Sequence, residues 1–124
     1  MLTRRRLLSL SALAFGTSGA GFARAQSYPV GLIKLVVPFP AGGPTDIMGR
    51  IASQLASSAL GQNVVVENRP GAGGTIGSQD VAHAKPDGYT LLLGGTNTNA
   101  INAAIYKHLN YDPINDFTPI ASIN

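Results

Sequence analysis

The sequence predicts an α/β fold built on a mostly parallel sheet. Three segments repeat one pattern: a short apolar strand, a loop rich in Gly and small polar residues, and an apolar stripe at helical spacing. Successive units of this kind favour right-handed βαβ crossovers. Because ligands bind beyond the carboxyl ends of parallel strands, we expect the three loops to form one cleft.

The first 25 residues differ from the rest and are predicted to be an export signal. Three arginines at positions 4–6 precede an apolar run over residues 7–15, and a small-residue stretch ends in Ala23-Arg24-Ala25. This run is shorter than the ~20 residues that span a bilayer, so no permanent anchor is expected. We predict cleavage after Ala25 and a periplasmic location. The arginines fit twin-arginine export, and a general secretory signal stays open.

The charge of the chain belongs mainly to this signal. The formal net charge is +3, but four of the nine basic residues precede residue 26. The remaining chain has five basic and six acidic residues, so it has no basic face for a nucleic-acid partner. The absence of cysteine excludes disulfides and thiolate metal sites. No cofactor is expected.

The first unit begins with a strand over residues 33–37, which is predicted to be buried on both faces and to end at Pro38. Phe39 lies between two prolines and is expected either to plug the core or to form an aromatic wall of a ligand site. Apolar residues at helical spacing over residues 47–60 predict a helix packed on the sheet. Gly61 is its predicted end.

The start of this helix is predicted to be an anion-binding position. Either Thr45 or Gly43 is the predicted N-cap, and both choices place Asp46 in the first turn. Unpaired backbone N–H groups and the helix dipole favour a negative group there. Asp46 is expected either to cap these amides or to accept a hydrogen bond from a ligand or a bridging water.

The second unit has a valine strand over residues 64–66, a Gly-rich loop over residues 71–74 and a helix over residues 76–83, with Thr75 as the predicted N-cap. The glycine spacing does not fit a dinucleotide-binding loop. The chain also has no G-K-[ST] phosphate loop.

The third unit has a predicted buried strand over residues 89–93, a polar loop over residues 94–99 and a helical stripe over residues 101–109. A turn-rich connection follows. Residues 120–123 are predicted to begin a fourth strand.

Catalytic motifs are weak in this sequence. His83 and His108 are the only histidines, and neither has metal-ligand partners at convincing spacing. No G-x-S-x-G elbow is present, and Glu67 is expected to brace either Arg69 or the neighbouring turn. A small α/β enzyme of hydrolase or nucleotide-binding type is the alternative function, and it requires a nucleophile–base pair or a phosphate loop.

Three motifs follow one another at consistent spacing: PFPAGGPTD at residues 38–46, VENRPGAGG at residues 66–74 and PDGYTL at residues 86–91. Together they resemble the Bug family, the periplasmic solute-binding receptors of tripartite tricarboxylate transporters. The resemblance implies a periplasmic-binding-protein-like, type II (Venus flytrap) fold. It also implies binding, without catalysis, of a di- or tricarboxylate, an amino acid or an aromatic acid, which is passed to the membrane permease subunits.

The resemblance assigns ligand contacts to the three loops. In the family, the first loop holds a ligand carboxylate through backbone amides and ordered waters. The residues implied in this chain are Phe39, Ala41, Gly42, Gly43, Thr45 and Asp46 in the first loop, Gly73, Gly74 and Thr75 in the second, and Thr96, Asn97 and Asn99 in the third.

Family members are longer than this chain, so the resemblance covers only their N-terminal part. We therefore expect residues 26–124 to form a truncated first lobe, with the second lobe absent and residues 1–25 read by the export machinery. A two-lobed receptor that lacks its second lobe is expected to bind its ligand weakly or not at all. A non-functional truncated product is therefore the remaining alternative.

Overall fold

The computed structural model describes residues 27–123, and the predicted export signal over residues 1–25 lies outside them. Three strands form one parallel sheet in the order β2-β1-β3. The elements in chain order are β1 (Ile33–Val37), α1 (Pro44–Leu60), β2 (Val64–Asn68), a 3-10 turn (Ala72–Gly74), α2 (Thr75–Ala82), β3 (Thr90–Leu92), a π-helical turn (Asn97–Ile101) and α3 (Asn102–Ile105). In this part of the chain, every helix is too short or too polar to cross a membrane.

The central strand β1 confirms the predicted parallel sheet. Ile33 pairs with Val64 of β2, and Lys34 pairs with Thr90 of β3. Ile33 and Val37 are at most 1% exposed, as expected for a strand covered on both faces. Because all three strands run in the same direction, the three following loops leave the sheet at the edge formed by the carboxyl ends of the strands. Strand β3, which is an outer strand of the sheet, is only half-buried, although a buried strand was predicted.

Helix α1 has the predicted length, but it packs through a different face. The residues of α1 that are buried are Asp46, Gly49 and Ser53. The large apolar residues that remain exposed are Ile47, Met48, Ile51, Leu55 and Leu60. At Gly49 an added Cβ would lie 2.9 Å from Val37 Cγ2 and 3.2 Å from Leu93 Cδ2. Small side chains therefore allow a close approach of the helix to the sheet that the apolar stripe would prevent.

Serine hydroxyls join α1 to the start of β2. The Ser53 hydroxyl donates to the Val64 carbonyl oxygen at 2.6 Å, and the Val64 N–H donates to Ser57 Oγ at 2.8 Å. The Ser57 hydroxyl in turn donates to the Ser53 carbonyl oxygen at 2.8 Å. Both backbone groups of Val64 are therefore satisfied by helix side chains, which fixes where the strand begins.

Replacement of Ser57 by alanine is expected to lower the free energy of unfolding by about 1–2 kcal/mol, because the Val64 N–H then lacks its acceptor. The measurement is urea unfolding followed by circular dichroism. Ser58→Ala is the matched control, since Ser58 is exposed on the same helix and bonds only to Gln54 within the described chain. Equal losses in the two variants would contradict the role assigned to Ser57.

The helices after β2 and β3 differ from their predicted bounds. Gly74, not Thr75, is the N-cap of α2, and Gly74 has φ +92°, a conformation that glycine adopts without strain. Helix α2 therefore covers residues 75–82. The predicted helix over residues 101–109 instead starts as the π-helical turn and ends at Ile105, because Tyr106 is extended. Residues 120–123 form no strand.

The edge of the sheet opposite the loops is held by two tyrosines. The Tyr28 hydroxyl donates to the Gly88 carbonyl oxygen at 2.7 Å, and the Val30 N–H donates to the Tyr89 hydroxyl at 2.9 Å. The two rings pack edge to face with centroids 5.2 Å apart. These contacts attach residues 28–30 to the turn that precedes β3. We refer to them below as the tyrosine pair.

An ion-pair chain crosses β1, β2 and α2. Glu67 contacts Lys34 at 2.8 Å and Arg69 at 2.6 Å, and Arg69 contacts Asp80 at 2.8 Å. The predicted pairing of Glu67 with Arg69 is confirmed. Hydrogen bonds from Lys34 and then Arg69 lower the pKa of Glu67. All four side chains are at least about one-third exposed, so this chain contributes little to stability.

Candidate functional site

The first loop leaves backbone donors at the start of α1. Gly43 is the N-cap, with φ −78° and Pro44 as the first helical residue, which decides between the two predicted caps. No side chain caps this helix end. Within residues 27–123, the N–H groups of Ala41, Thr45 and Asp46 have no hydrogen-bond acceptor. A 17-residue helix therefore begins with unpaired donors at the positive end of its dipole.

Asp46 is buried and does not cap these amides. Its Oδ2 accepts hydrogen bonds at 2.9 Å from the Gly42 N–H and from Arg50 Nε. Its Oδ1 accepts a third, also at 2.9 Å, from Asn68 Nδ2. The residue is 2% exposed. Asp46 therefore fixes the conformation of the first loop, and its two oxygens are engaged by protein donors.

The environment of Asp46 holds it in the charged form. The hydrogen bond from Arg50 is the largest cause, followed by those from Gly42 and Asn68, and together they lower its pKa from 3.8 to about 2. Removal from water acts in the opposite direction but is outweighed. The Asp46 carboxylate is thus neutralised by a neighbour on its own helix, four residues later.

Asn68, the last residue of β2, is bonded to the first loop. Its Nδ2 donates to Asp46 Oδ1 and also to the Phe39 carbonyl oxygen at 3.1 Å. Sequence reasoning did not identify Asn68 or Arg50 as parts of this site. The i, i+4 spacing of Asp46 and Arg50 was a usable signal. The pairing of Asn68 with Asp46 joins residues 22 positions apart and had no sequence signal.

The second loop meets the other two at Gly74. An added Cβ on Gly74 would lie 2.8 Å from Thr98 Cγ2, 3.5 Å from Phe39 Cζ and 3.5 Å from Pro38 Cβ. Gly74 is buried, and Thr98 is completely so. The three loops therefore meet at Gly74. Phe39 is half-buried, and the tip of its ring lies close to Gly74 of the second loop.

The third loop is organised by Thr98 rather than by the residues named from the resemblance. Thr98 Oγ1 accepts the Gly95 N–H at 2.9 Å and lies 3.0 Å from Asn99 Oδ1. Thr96, Asn97 and Asn99 are exposed at the loop surface. Their side chains are thus available to solvent or a ligand, while Thr98 determines the shape of the loop.

A cavity of about 660 Å³ lies between α1 and the sheet, and one end of it reaches the first and third loops. Pro44 and Thr45 line one side, and residues 94–96 line the other. The cavity continues between α1 and β3 toward residues 120–123. The second loop does not line it, so the expectation that all three loops form one cleft is wrong for this cavity, although the loops meet at Gly74. Of the twelve predicted site residues, Thr45 and Thr96 line this cavity, and the others lie in the loops around it.

The three loops can contact a ligand mainly through hydrogen bonds. They offer backbone N–H groups, hydroxyls and amides, and their one buried charge, on Asp46, is paired with Arg50. In the described part of the chain, no cluster of three or more His, Cys, Asp or Glu residues could hold a metal ion. Such a surface can bind an anionic group, because main-chain N–H dipoles replace the water molecules that the anion loses on binding.

Comparison with known proteins gives a consistent result. The profile of a family described as "Tripartite tricarboxylate transporter family receptor" matches residues 47–124. A UPF0065 protein of Bordetella bronchiseptica is 43% identical over 122 residues, which is 98% of this chain and 36% of that protein. The chain spans about a third of the length of the curated relatives it matches.

Two solved structures share the fold. The periplasmic binding protein BugD is 46% identical, with a TM-score of 0.72, over 75% of this chain and 31% of that one. MatC of Rhodopseudomonas palustris, determined with bound malate, is 44% identical, with a TM-score of 0.72, over 74% of this chain and 31% of that one. Both likenesses confirm the predicted periplasmic-binding-protein-like fold.

Proposed function

Because the chain belongs to the tripartite tricarboxylate transporter receptor family, we propose that it binds a small organic carboxylate as the extracytoplasmic receptor of such a transporter. Membership of the family confirms the resemblance to the Bug receptors. The proposed activity is binding without catalysis. Since the chain spans about a third of its relatives, the proposal concerns the part of the binding site that this portion supplies.

The observation that carries the proposal is the uncapped start of α1. Thr45 and Asp46 present N–H groups that no protein acceptor satisfies within the described residues, and the Ala41 N–H lies in the same loop. A carboxylate bound there would supply the missing acceptor oxygens. The pairing of Asp46 with Arg50 supports this reading, because an unpaired Asp46 would repel such a ligand.

A dicarboxylate is the proposed ligand class. MatC was determined with bound malate, a four-carbon dicarboxylic acid, and it shares 44% of its matched residues with this chain. We propose the twelve residues named from the family resemblance as the contacts of this portion. Among them, Gly42, Gly43 and Asp46 act by shaping the first loop. Ala41, Thr45 and the backbone of Asp46 act by donating N–H groups.

Membership of the same family supports a proposal for the location and the partners. We propose that residues 1–25 direct export, by the twin-arginine or the general secretory route, and are cleaved after Ala25. Residues 26–124 would then act in the periplasm as the N-terminal part of the first ligand-binding lobe. The proposed partners are the membrane permease subunits of the transporter, to which the receptor would deliver its ligand.

Titration of the purified, ¹⁵N-labelled chain with L-malate tests the proposal. We expect saturable NMR shifts of the Ala41, Thr45 and Asp46 amides, with a dissociation constant of about 1 mM or weaker because only one side of the ligand is contacted. The neutral diamide of malate is the matched control and should leave these amides unchanged. ATP replaces malate in a parallel titration. No response to malate, or a response to ATP alone, would contradict the receptor function.

A further inference from the structure

The second loop is built from four consecutive residues with positive φ. The values are +140° at Gly71, +46° at Ala72, +66° at Gly73 and +92° at Gly74. Ala72 is the only residue other than glycine with positive φ in the described part of the chain. Such backbone persists only when surrounding contacts hold it, and the residues that hold it determine where its N–H groups point.

Two side chains beyond the third loop hold this backbone. Asn102 Nδ2 donates to the Gly73 carbonyl oxygen at 3.0 Å, and the Tyr106 hydroxyl donates to the Ala72 carbonyl oxygen at 3.2 Å. Asn102 is 4% exposed and lies 3.5 Å from the hydroxyl of Tyr111, which donates to the Thr98 carbonyl oxygen at 2.7 Å. The region of α3 is therefore fixed to the third loop on one side and to the second loop on the other.

These contacts set the direction of the Gly73 N–H. In a trans peptide the carbonyl and the following N–H point in opposite directions. The Ala72 carbonyl oxygen accepts hydrogen bonds from the Tyr106 hydroxyl and from the Thr75 N–H, so the Gly73 N–H points away from both donors. That N–H has no acceptor within residues 27–123, whereas the Gly74 N–H is bonded to the Gly71 carbonyl oxygen at 2.9 Å.

We propose that Tyr106 and Asn102 are positioning residues, which aim the Gly73 N–H at the bound carboxylate by holding the carbonyls of Ala72 and Gly73. This inference rests on the proposed function and deepens it. Neither side chain touches the ligand. Loss of either contact leaves the ligand's other donors in place but loosens the second loop, so that the Gly73 N–H is held less firmly toward the ligand.

Tyr106→Phe tests the inference, because it removes one hydroxyl from an exposed tyrosine and leaves the ring. Tyr28→Phe is the matched control, since it removes an exposed tyrosine hydroxyl bonded to a loop carbonyl at the opposite edge of the sheet. Both variants are expected to shift the urea midpoint by similar small amounts. Only Tyr106→Phe should weaken L-malate binding, by roughly 3- to 10-fold.

NMR titration of the two variants and the unmodified chain distinguishes the outcomes. The inference is supported if malate shifts the Gly73 amide in the unmodified chain and if affinity falls in Tyr106→Phe alone. It is overturned if both variants bind like the unmodified chain or weaken equally, and the proposed function then stands. If the unmodified chain gives no saturable shift, the proposed function fails and this inference fails with it. Asn102→Asp, which puts an acceptor against the Gly73 carbonyl, should weaken binding further.

Discussion

Replacement of Gly74 by alanine is expected to lower the free energy of unfolding by about 2–5 kcal/mol. The left-handed backbone at this position, φ +92°, costs an L-residue about 1–2 kcal/mol. The added methyl group would also lie 2.8 Å from Thr98 Cγ2 and 3.5 Å from Phe39 Cζ, and relief of such overpacking costs about 1–3 kcal/mol more. Urea unfolding followed by circular dichroism measures the loss.

Gly95→Ala is the matched control for this variant. Gly95 lies in the third loop, has no atom within 4 Å of an added Cβ and lacks a positive φ. Its replacement should change stability by no more than about 0.5 kcal/mol. A Gly74→Ala variant as stable as Gly95→Ala would show that the three loops do not meet as described. Since Gly74 joins all three loops, the first variant should also abolish the response to malate.

Replacement of Asp46 by asparagine is expected to destabilise the fold strongly at neutral pH and much less at pH 2. In either orientation, the asparagine NH₂ would face a donor, either Asn68 Nδ2 or the Gly42 N–H and Arg50. The folded pKa of Asp46, about 2, lies below its ordinary value of 3.8. Its contribution is therefore complete above about pH 4 and is lost as the pH falls from 3.8 toward 2.

Urea unfolding of both proteins between pH 2 and pH 7 measures this difference. The curves should be furthest apart above pH 4 and should approach each other at pH 2. Ser58→Ala, an exposed change on the same helix, should run parallel to the unmodified chain at every pH. A constant separation between Asp46→Asn and the unmodified chain would be evidence against a charged Asp46 in the fold. The pKa values of Glu67 and Asp112 are also lowered. Both residues are present in both proteins, so their contributions cancel in the difference between the two curves.

The sheet and its loops could be predicted from sequence because local residue types determine them. The β-branched run over residues 33–37, ended by Pro38, is the central strand, and Gly61 ends α1 in the left-handed conformation expected of a C-cap. The repeated order of strand, loop and helix then leaves few topologies open. The parallel sheet and the meeting of three loops at one edge follow from that order.

The orientation of α1 could not be predicted, because two signals on the helix compete. Its apolar stripe indicates one buried face, whereas Gly49 and Ser53 lie on another. The second face is the one that packs against the sheet, because Asn68 holds Asp46 and because Ser53 and Ser57 bond to Val64. Hydrogen bonds between distant segments therefore fix the rotation of the helix, and hydropathy alone does not report them.

The candidate site was predictable as a set of loops but not as a set of contacts. The unpaired donors at the start of α1 follow from Gly43 and Pro44, which have no capping side chain. The roles of Asn68, Asn102 and Tyr106 depend on partners 22 to 34 positions away. A single sequence has no signal for such pairs, and polar residues in loops and short helices are usually exposed.

The tyrosine pair has a practical consequence for measurements on this protein. It attaches residues 28–30 to the turn before β3, at the edge of the sheet opposite the loops. The strands between the two edges separate them by roughly 15 Å. A tether or fluorescent label joined to the chain before Ser27 would therefore be attached on the side of the molecule opposite the three loops. Surface immobilisation through that end should leave the mouth of the cleft facing the solution.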